Sequence, residues 1–128
     1  MRIDDPNGWV WLQALQMLDE TRRLQRCSFG ATRWEPAVDV FESRAELWLY
    51  YALPGVRAHE LEIELDGVEL VVRGRRVLPQ IVHGASIRQL ELPYGTFERR
   101  VLLPGGVYRI TAQHLDQGFL VIGLQRSP

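Results

Sequence analysis

The apolar residues of this chain change period at Trp34. Before it they recur every three or four positions; after it they recur every second position, and Pro or Gly interrupts the pattern at intervals of about ten residues. A period of two with frequent punctuation describes short antiparallel strands, because alternate side chains of a strand point to opposite faces of its sheet. Val38 and Val40 alternate with Asp39 and Phe41. Leu47, Leu49, Tyr51 and Leu53 alternate with Trp48, Tyr50 and Ala52, which makes this second strand apolar on both sides. Leu61, Ile63 and Leu65 alternate with Glu62 and Glu64, and Asp66-Gly67 then marks a tight hairpin into Glu69 to Arg73. Gly74 to Ser86 reads as a long connection. Further strands are expected over Ile87 to Leu92, Thr96 to Leu103, Tyr108 to Ala112 and Phe119 to Leu124, the last two joined by a turn at Asp116-Gln117-Gly118. Many short strands without crossover helices predict an all-β, antiparallel β-sandwich.

The earlier period is helical. Trp11, Leu15 and Leu18 are spaced by four and three, with Leu12 beside them, so residues 8–26 are expected to form a short N-terminal helix, capped by Asp5 before Pro6. Arg22, Arg23 and Arg26 fall where the helix dipole favours cations. Cys27 to Thr32 loses the period and reads as a linker. A chain of 128 residues supports one domain with a core, flanked by short tails: an arm and linker over 1–33, the sandwich over 34–126 and a vestigial tail at 127–128.

The charges balance, with 15 basic against 16 acidic residues, so no net positive field would draw the chain to nucleic acid or to an anionic membrane. Every basic residue is Arg, which favours planar two-point pairing wherever a contact is buried. The lone Cys27 can form no intrachain disulfide, so a reducing cytoplasm is expected; the Trp9 to Leu18 stretch is broken by Gln13 and Gln16 and makes neither a signal peptide nor a membrane span.

Catalysis finds little support. Ser28, Ser43, Ser86 and Ser127 lie outside any nucleophile-elbow motif, and Cys27 has no neighbouring His. His59, His83 and His114 are scattered, so no metal site is expected. Leu103-Pro104-Gly105-Gly106 lacks the following helix that a phosphate loop needs, and no cofactor is expected.

Five motifs, in order, resemble the α-crystallin domain of small heat shock proteins, bacterial type: Pro36 to Glu42, Ala52-Leu53-Pro54-Gly55-Val56, Leu70 to Gly74, Gly95 to Arg100 followed by Leu103-Pro104, and Gly118-Phe119-Leu120. The resemblance implies an immunoglobulin-like sandwich, an ATP-independent holdase that captures unfolding client proteins, and a homodimer as building block. It further implies that Ile87 to Leu92 crosses to pair with the strand near Trp34 to Val38 of the partner subunit, with Val77, Leu78, Ile81 and Val82 packing there too. Trp34, Val38, Ile87, Leu90, Leu92 and Arg99 are therefore the expected dimer contacts, Arg99 through a carboxylate pair. Two departures stand out. The family's Ile-x-Ile tail, which plugs a groove on a neighbouring dimer, has no counterpart at Ser127-Pro128, and Ala112 to Gly118 is one residue longer than usual, which predicts a bulge or a longer turn.

A holdase needs apolar surface within reach of clients. The expected client surfaces are the arm, through Trp9, Trp11, Leu12, Leu15 and Leu18, and a groove between Leu47, Leu49 and Tyr51 on one strand and Leu120, Ile122 and Leu124 on the last. A sister small heat shock protein is a further expected partner. The competing readings are a CS-type co-chaperone or adaptor module, which lacks the exchanging connection, and an enzyme or ligand-binding sandwich.

Overall fold

A computed structural model describes residues 33–80 and 84–128. The expected helix over 8–26, with its candidate client residues Trp9, Trp11, Leu12, Leu15 and Leu18, lies outside them, as do Ile81 and Val82. Seven strands follow in order: β1 (Val38–Glu42), β2 (Glu46–Ala52), β3 (Leu61–Asp66), β4 (Glu69–Arg76), β5 (Gly95–Leu102), β6 (Tyr108–Asp116) and β7 (Phe119–Arg126), with a 3-10 turn, Ala58–Glu60, before β3. They form two antiparallel sheets, one of four strands in the order β1-β2-β7-β6 and one of three in the order β3-β4-β5.

Local chemistry sets the hairpins. Asp66 pairs with Glu69, leaving Gly67 and Val68 as a two-residue loop, and Gly67 takes φ +60°. Asp116 pairs with Phe119, and Gln117 and Gly118 between them both have positive φ, 50° and 86°. Two such residues in succession match the right-handed twist of the flanking strands. A bulge does occur in that hairpin, between Ile110 and Ala112, but it precedes the Ala112 to Gly118 stretch, where the pairing from Ala112 to Asp116 is regular.

The core lies between the sheets. Leu47, Leu49 and Tyr51 of β2 pair with Leu124, Ile122 and Leu120 of β7, and all six are at most 1% exposed. This corrects the expected client groove: these six residues belong to the two central strands of the larger sheet and are covered by Leu70, Val72 and Phe97 of the smaller one. Phe97 packs on Trp34 with ring centroids 5.1 Å apart and lies over Gly74, its register partner. A Cβ built on Gly74 would stand 2.5 Å from Phe97 Cζ and 2.6 Å from the Glu60 carbonyl oxygen, so only glycine fits.

A second correction concerns Ile87 to Leu92. It is not a strand: β4 runs on to Arg76, and the described residues between 77 and 94 contribute no strand to either sheet. Among the described residues it pairs with no sheet edge, and an apolar pattern without a partner for its backbone N–H and C=O groups does not make a strand.

Candidate interaction surfaces

Four strands over three leave an overhang. Val38 and Val40 of β1 are in phase with the buried Tyr51 and Leu49, yet Val38 is only half-buried and Val40 is 44% exposed. Among the described residues, β1 has β2 on one side and no strand on the other. Across from it, β5 is also an edge. Its first residues are met by Trp34, whose N–H donates to the Thr96 carbonyl at 3.2 Å and whose carbonyl accepts from the Glu98 N–H at 3.0 Å. Trp34, an expected dimer contact, is therefore spent inside its own subunit: it is 5% exposed, and its indole N–H donates to the Gly95 carbonyl. Of the other expected contacts, Val38 and Arg99 sit at inner-phase positions near the sheet edges, and the three on the connection face outward. Ile87 is 56% exposed, Leu90 37% and Leu92 49%, and Val77 and Leu78 of the same connection are also exposed.

Arg99 occupies an inner-phase position on β5 between Phe97 and Val101 and places Nη1 3.4 Å from Glu35 Oε2. Its charge acts on the Tyr51 phenol. Burial pushes that phenol well above the usual tyrosine range, and Arg99 partly opposes the shift. The Tyr51 hydroxyl is sealed from solvent without a hydrogen-bond partner among the described residues.

The outer faces of the two sheets differ in chemistry. That of the smaller sheet is an ion lattice. Arg73 Nε lies 2.7 Å from Glu98 Oε1 and its Nη1 3.0 Å from Glu64; Arg100 bridges Glu69 at 3.0 Å and Glu98 at 3.5 Å; Arg33 reaches the other Glu98 oxygen at 3.1 Å. The hydrogen bond from Arg73, followed by that from Arg33, holds the Glu98 carboxyl below the usual carboxylate range. Val71, in phase with this lattice, is only 2% exposed, since long arginine stems shield what lies beneath them.

The outer face of the larger sheet is aromatic. Phe41, Tyr50 and Phe119 form an edge-to-face ladder with centroid separations of 5.8 and 5.9 Å, and with Trp48 and Asp39 they line a shallow recess of about 500 Å³. Trp48 lies across Gly123, where a Cβ would come within 2.8 Å of the indole. Val121, on the same face, is 3% exposed, whereas Phe41 and Phe119 remain 57% and 42% exposed. The sequence reading missed this face as a site, although its signal was present in β2, apolar on both sides. Among the described residues, no group of three His, Cys, Asp or Glu side chains could hold a metal ion, and no helix is long and apolar enough to cross a membrane.

Residues 39–128 match the model of the Hsp20/alpha crystallin family. The chain belongs to that family. Among curated members it is 30% identical over 92 residues to the salt stress-responsive protein YocM of Bacillus subtilis, covering 72% of this chain and 57% of that protein. It is also 30% identical over 101 residues to spore protein SP21 of Stigmatella aurantiaca, covering 77% and 59%. The chain thus spans under two thirds of the length of these relatives. Among solved structures, the hspA of Xanthomonas axonopodis superposes with a TM-score of 0.66 at 30% identity, over 76% of this chain and 98% of that one. A small heat-shock protein of Xylella fastidiosa gives 0.64 at 28%, over 76% and 90%. The sandwich is accordingly the α-crystallin domain of a small heat shock protein.

Proposed function

We propose that this small heat shock protein is an ATP-independent holdase that captures unfolding clients on exposed apolar surface and works as a homodimer at least. The observation that carries the reading is the mismatch between a strand-like apolar segment with no mate and a sheet edge with no neighbour. Ile87, Leu90 and Leu92 are exposed, while β1 presents an open edge beside the half-exposed Val38 and Val40. Adding Ile87 to Leu92 of a second copy along β1 covers both sets, and Arg99 and Glu35 lie close by to join the seam. Exposed apolar edges favour such pairing, and each Å² of apolar area withdrawn from water stabilises it by about 25 cal/mol. A CS-type adaptor would instead fold residues 75–92 back on its own subunit, and the exposure of Ile87, Leu90 and Leu92 argues for exchange.

Client capture rests on the arm, with Trp9, Trp11, Leu12, Leu15 and Leu18, acting in the cytoplasm, alone or together with a sister small heat shock protein. The test combines light-scattering mass with aggregation of a heated client in the absence of ATP. A dimer or larger assembly that suppresses aggregation is expected; a monomer that gives no protection refutes the proposal. Removal of residues 1–30 is expected to weaken protection, and undiminished protection would rule out the arm as the main client surface.

A further inference from the structure

A strand that is apolar on both faces is ordinarily covered on both. The inner face of β2 is covered by the smaller sheet, while its outer face carries Trp48 and Tyr50 beside Phe41 and Phe119. The seam proposed above runs along the β1 edge and leaves this outer face unclaimed. We propose that residues 8–18 of the same chain dock here, laying the apolar stripe of Trp11, Leu15 and Leu18 across the aromatic ladder.

Three observations favour this occupant. The first is size: four strands at about 4.8 Å spacing span about 14 Å, and eleven residues of helix run about 16 Å. The second is reach. The described chain starts at Arg33, whose guanidinium joins the ion lattice of the smaller sheet, passes Trp34 at the β5 edge and then enters β1, whose Asp39 and Phe41 line the recess. The seven residues from Cys27 to Arg33, beyond the helix expected over 8–26 and taken as a flexible tether, have a root-mean-square span of about 15 Å, comparable with the radius of gyration of a domain of this size. Tethering at that length gives an effective concentration in the millimolar range, which a free partner does not reach. The third is charge. Asp39 in the recess and Asp116, the register partner of Phe119, put carboxylates beside the aromatics, and Arg22, Arg23 and Arg26 follow the arm's apolar stripe.

Docking makes the sandwich a holster for its own client-binding arm, which clients and the aromatic face then compete to hold. That regulatory part rests on the holdase reading; the docking itself does not.

The experiment replaces Phe119 with the photo-cross-linker p-benzoylphenylalanine in the full chain. Isotopically heavy and light chains are mixed before irradiation, and a second cross-linker at the 71%-exposed Val107 serves as control. The main product at position 119 is expected to join residues 8–18 within one isotope, to be absent at position 107, and to be lost when Trp11→Ser and Leu15→Ser are combined. Products joining heavy to light chains, products mapping to the 77–92 connection, absence of any product, or a yield unchanged by the arm substitutions each overturn the proposal. Client protection is measured on the same samples. If cross-linking fails while protection persists, the docking falls and the holdase reading stands; if protection fails while the cross-link forms, the reverse holds.

Discussion

The sharpest structural prediction concerns Gly74→Ala. The added methyl meets Phe97 Cζ at 2.5 Å and the Glu60 carbonyl oxygen at 2.6 Å, so it is blocked on two sides. The Phe97 ring is fully buried against Trp34, and the carbonyl belongs to the backbone of the 3-10 turn. Neither can yield cheaply. Forcing a methyl into so tight a site costs up to about 3 kcal/mol. Replacing Gly by Ala in a strand interior returns about 0.5–1 kcal/mol of backbone entropy. The net expectation is a loss of about 2 kcal/mol, which for a domain of this size lowers the melting temperature by about 8–16 °C. Gly105→Ala is the control: nothing lies within 4 Å of its Cβ position and its φ is not positive, so only the entropic gain remains. Circular dichroism melts at one fixed protein concentration measure both, because association also shifts the midpoint. Combining Phe97→Leu with Gly74→Ala should cost less than the sum of the two single losses, since the two share one space. A Gly74→Ala protein that melts with or above the parent would refute the close-approach argument.

Three other expectations follow from the same geometry. Tyr51→Phe removes a buried hydroxyl that lacks a partner and should be neutral or stabilising by up to about 1 kcal/mol; a loss of more than about 1 kcal/mol in chemical denaturation would show that the hydroxyl is bonded. The lowered Glu98 carboxyl contributes stability above the unfolded glutamate range near pH ~4.3, and that contribution disappears as pH falls through the lower folded value. The melting-temperature gap between parent and Glu98→Gln should therefore be present at neutral pH and low salt and close in acid, and a pH-independent gap would contradict it. Arg99→Gly breaks an ion pair that is partly exposed and worth at most about 1 kcal/mol within the subunit. Its larger effect is expected on association, as a drop in light-scattering mass on dilution, and an unchanged mass would place Arg99 outside the seam.

Much of the sandwich was legible because its signals are local. Asp66-Gly67 and Gln117-Gly118 fix two hairpins by turn chemistry alone, and the alternation in β3 separates a wet face from a dry one without reference to any neighbour. The failures came where the answer depends on something distant. Leu47, Leu49 and Tyr51 carry the same hydrophobicity as Trp48 and Tyr50, so sequence shows that β2 is apolar twice over but not which face the smaller sheet seals. The core took Leu47, Leu49 and Tyr51, and Trp48 and Tyr50 were left on the outer face. Ile87 to Leu92 has the apolar content of a strand, but a strand is a relation between two segments, and none of the described residues pairs with it. Trp34 looked like an edge contact and became an anchor because Phe97, more than sixty residues away, offers its ring there.

The lattice on the smaller sheet has one more consequence. Its cations are guanidinium groups, and the chain contains no lysine. Guanidinium keeps its proton far beyond the range in which an ammonium group surrenders one, so raising the alkalinity discharges none of these pairs. Protection is thus lopsided: strong base leaves the mesh of opposite charges whole, and the weakness lies only on the sour side, where carboxylates fall silent.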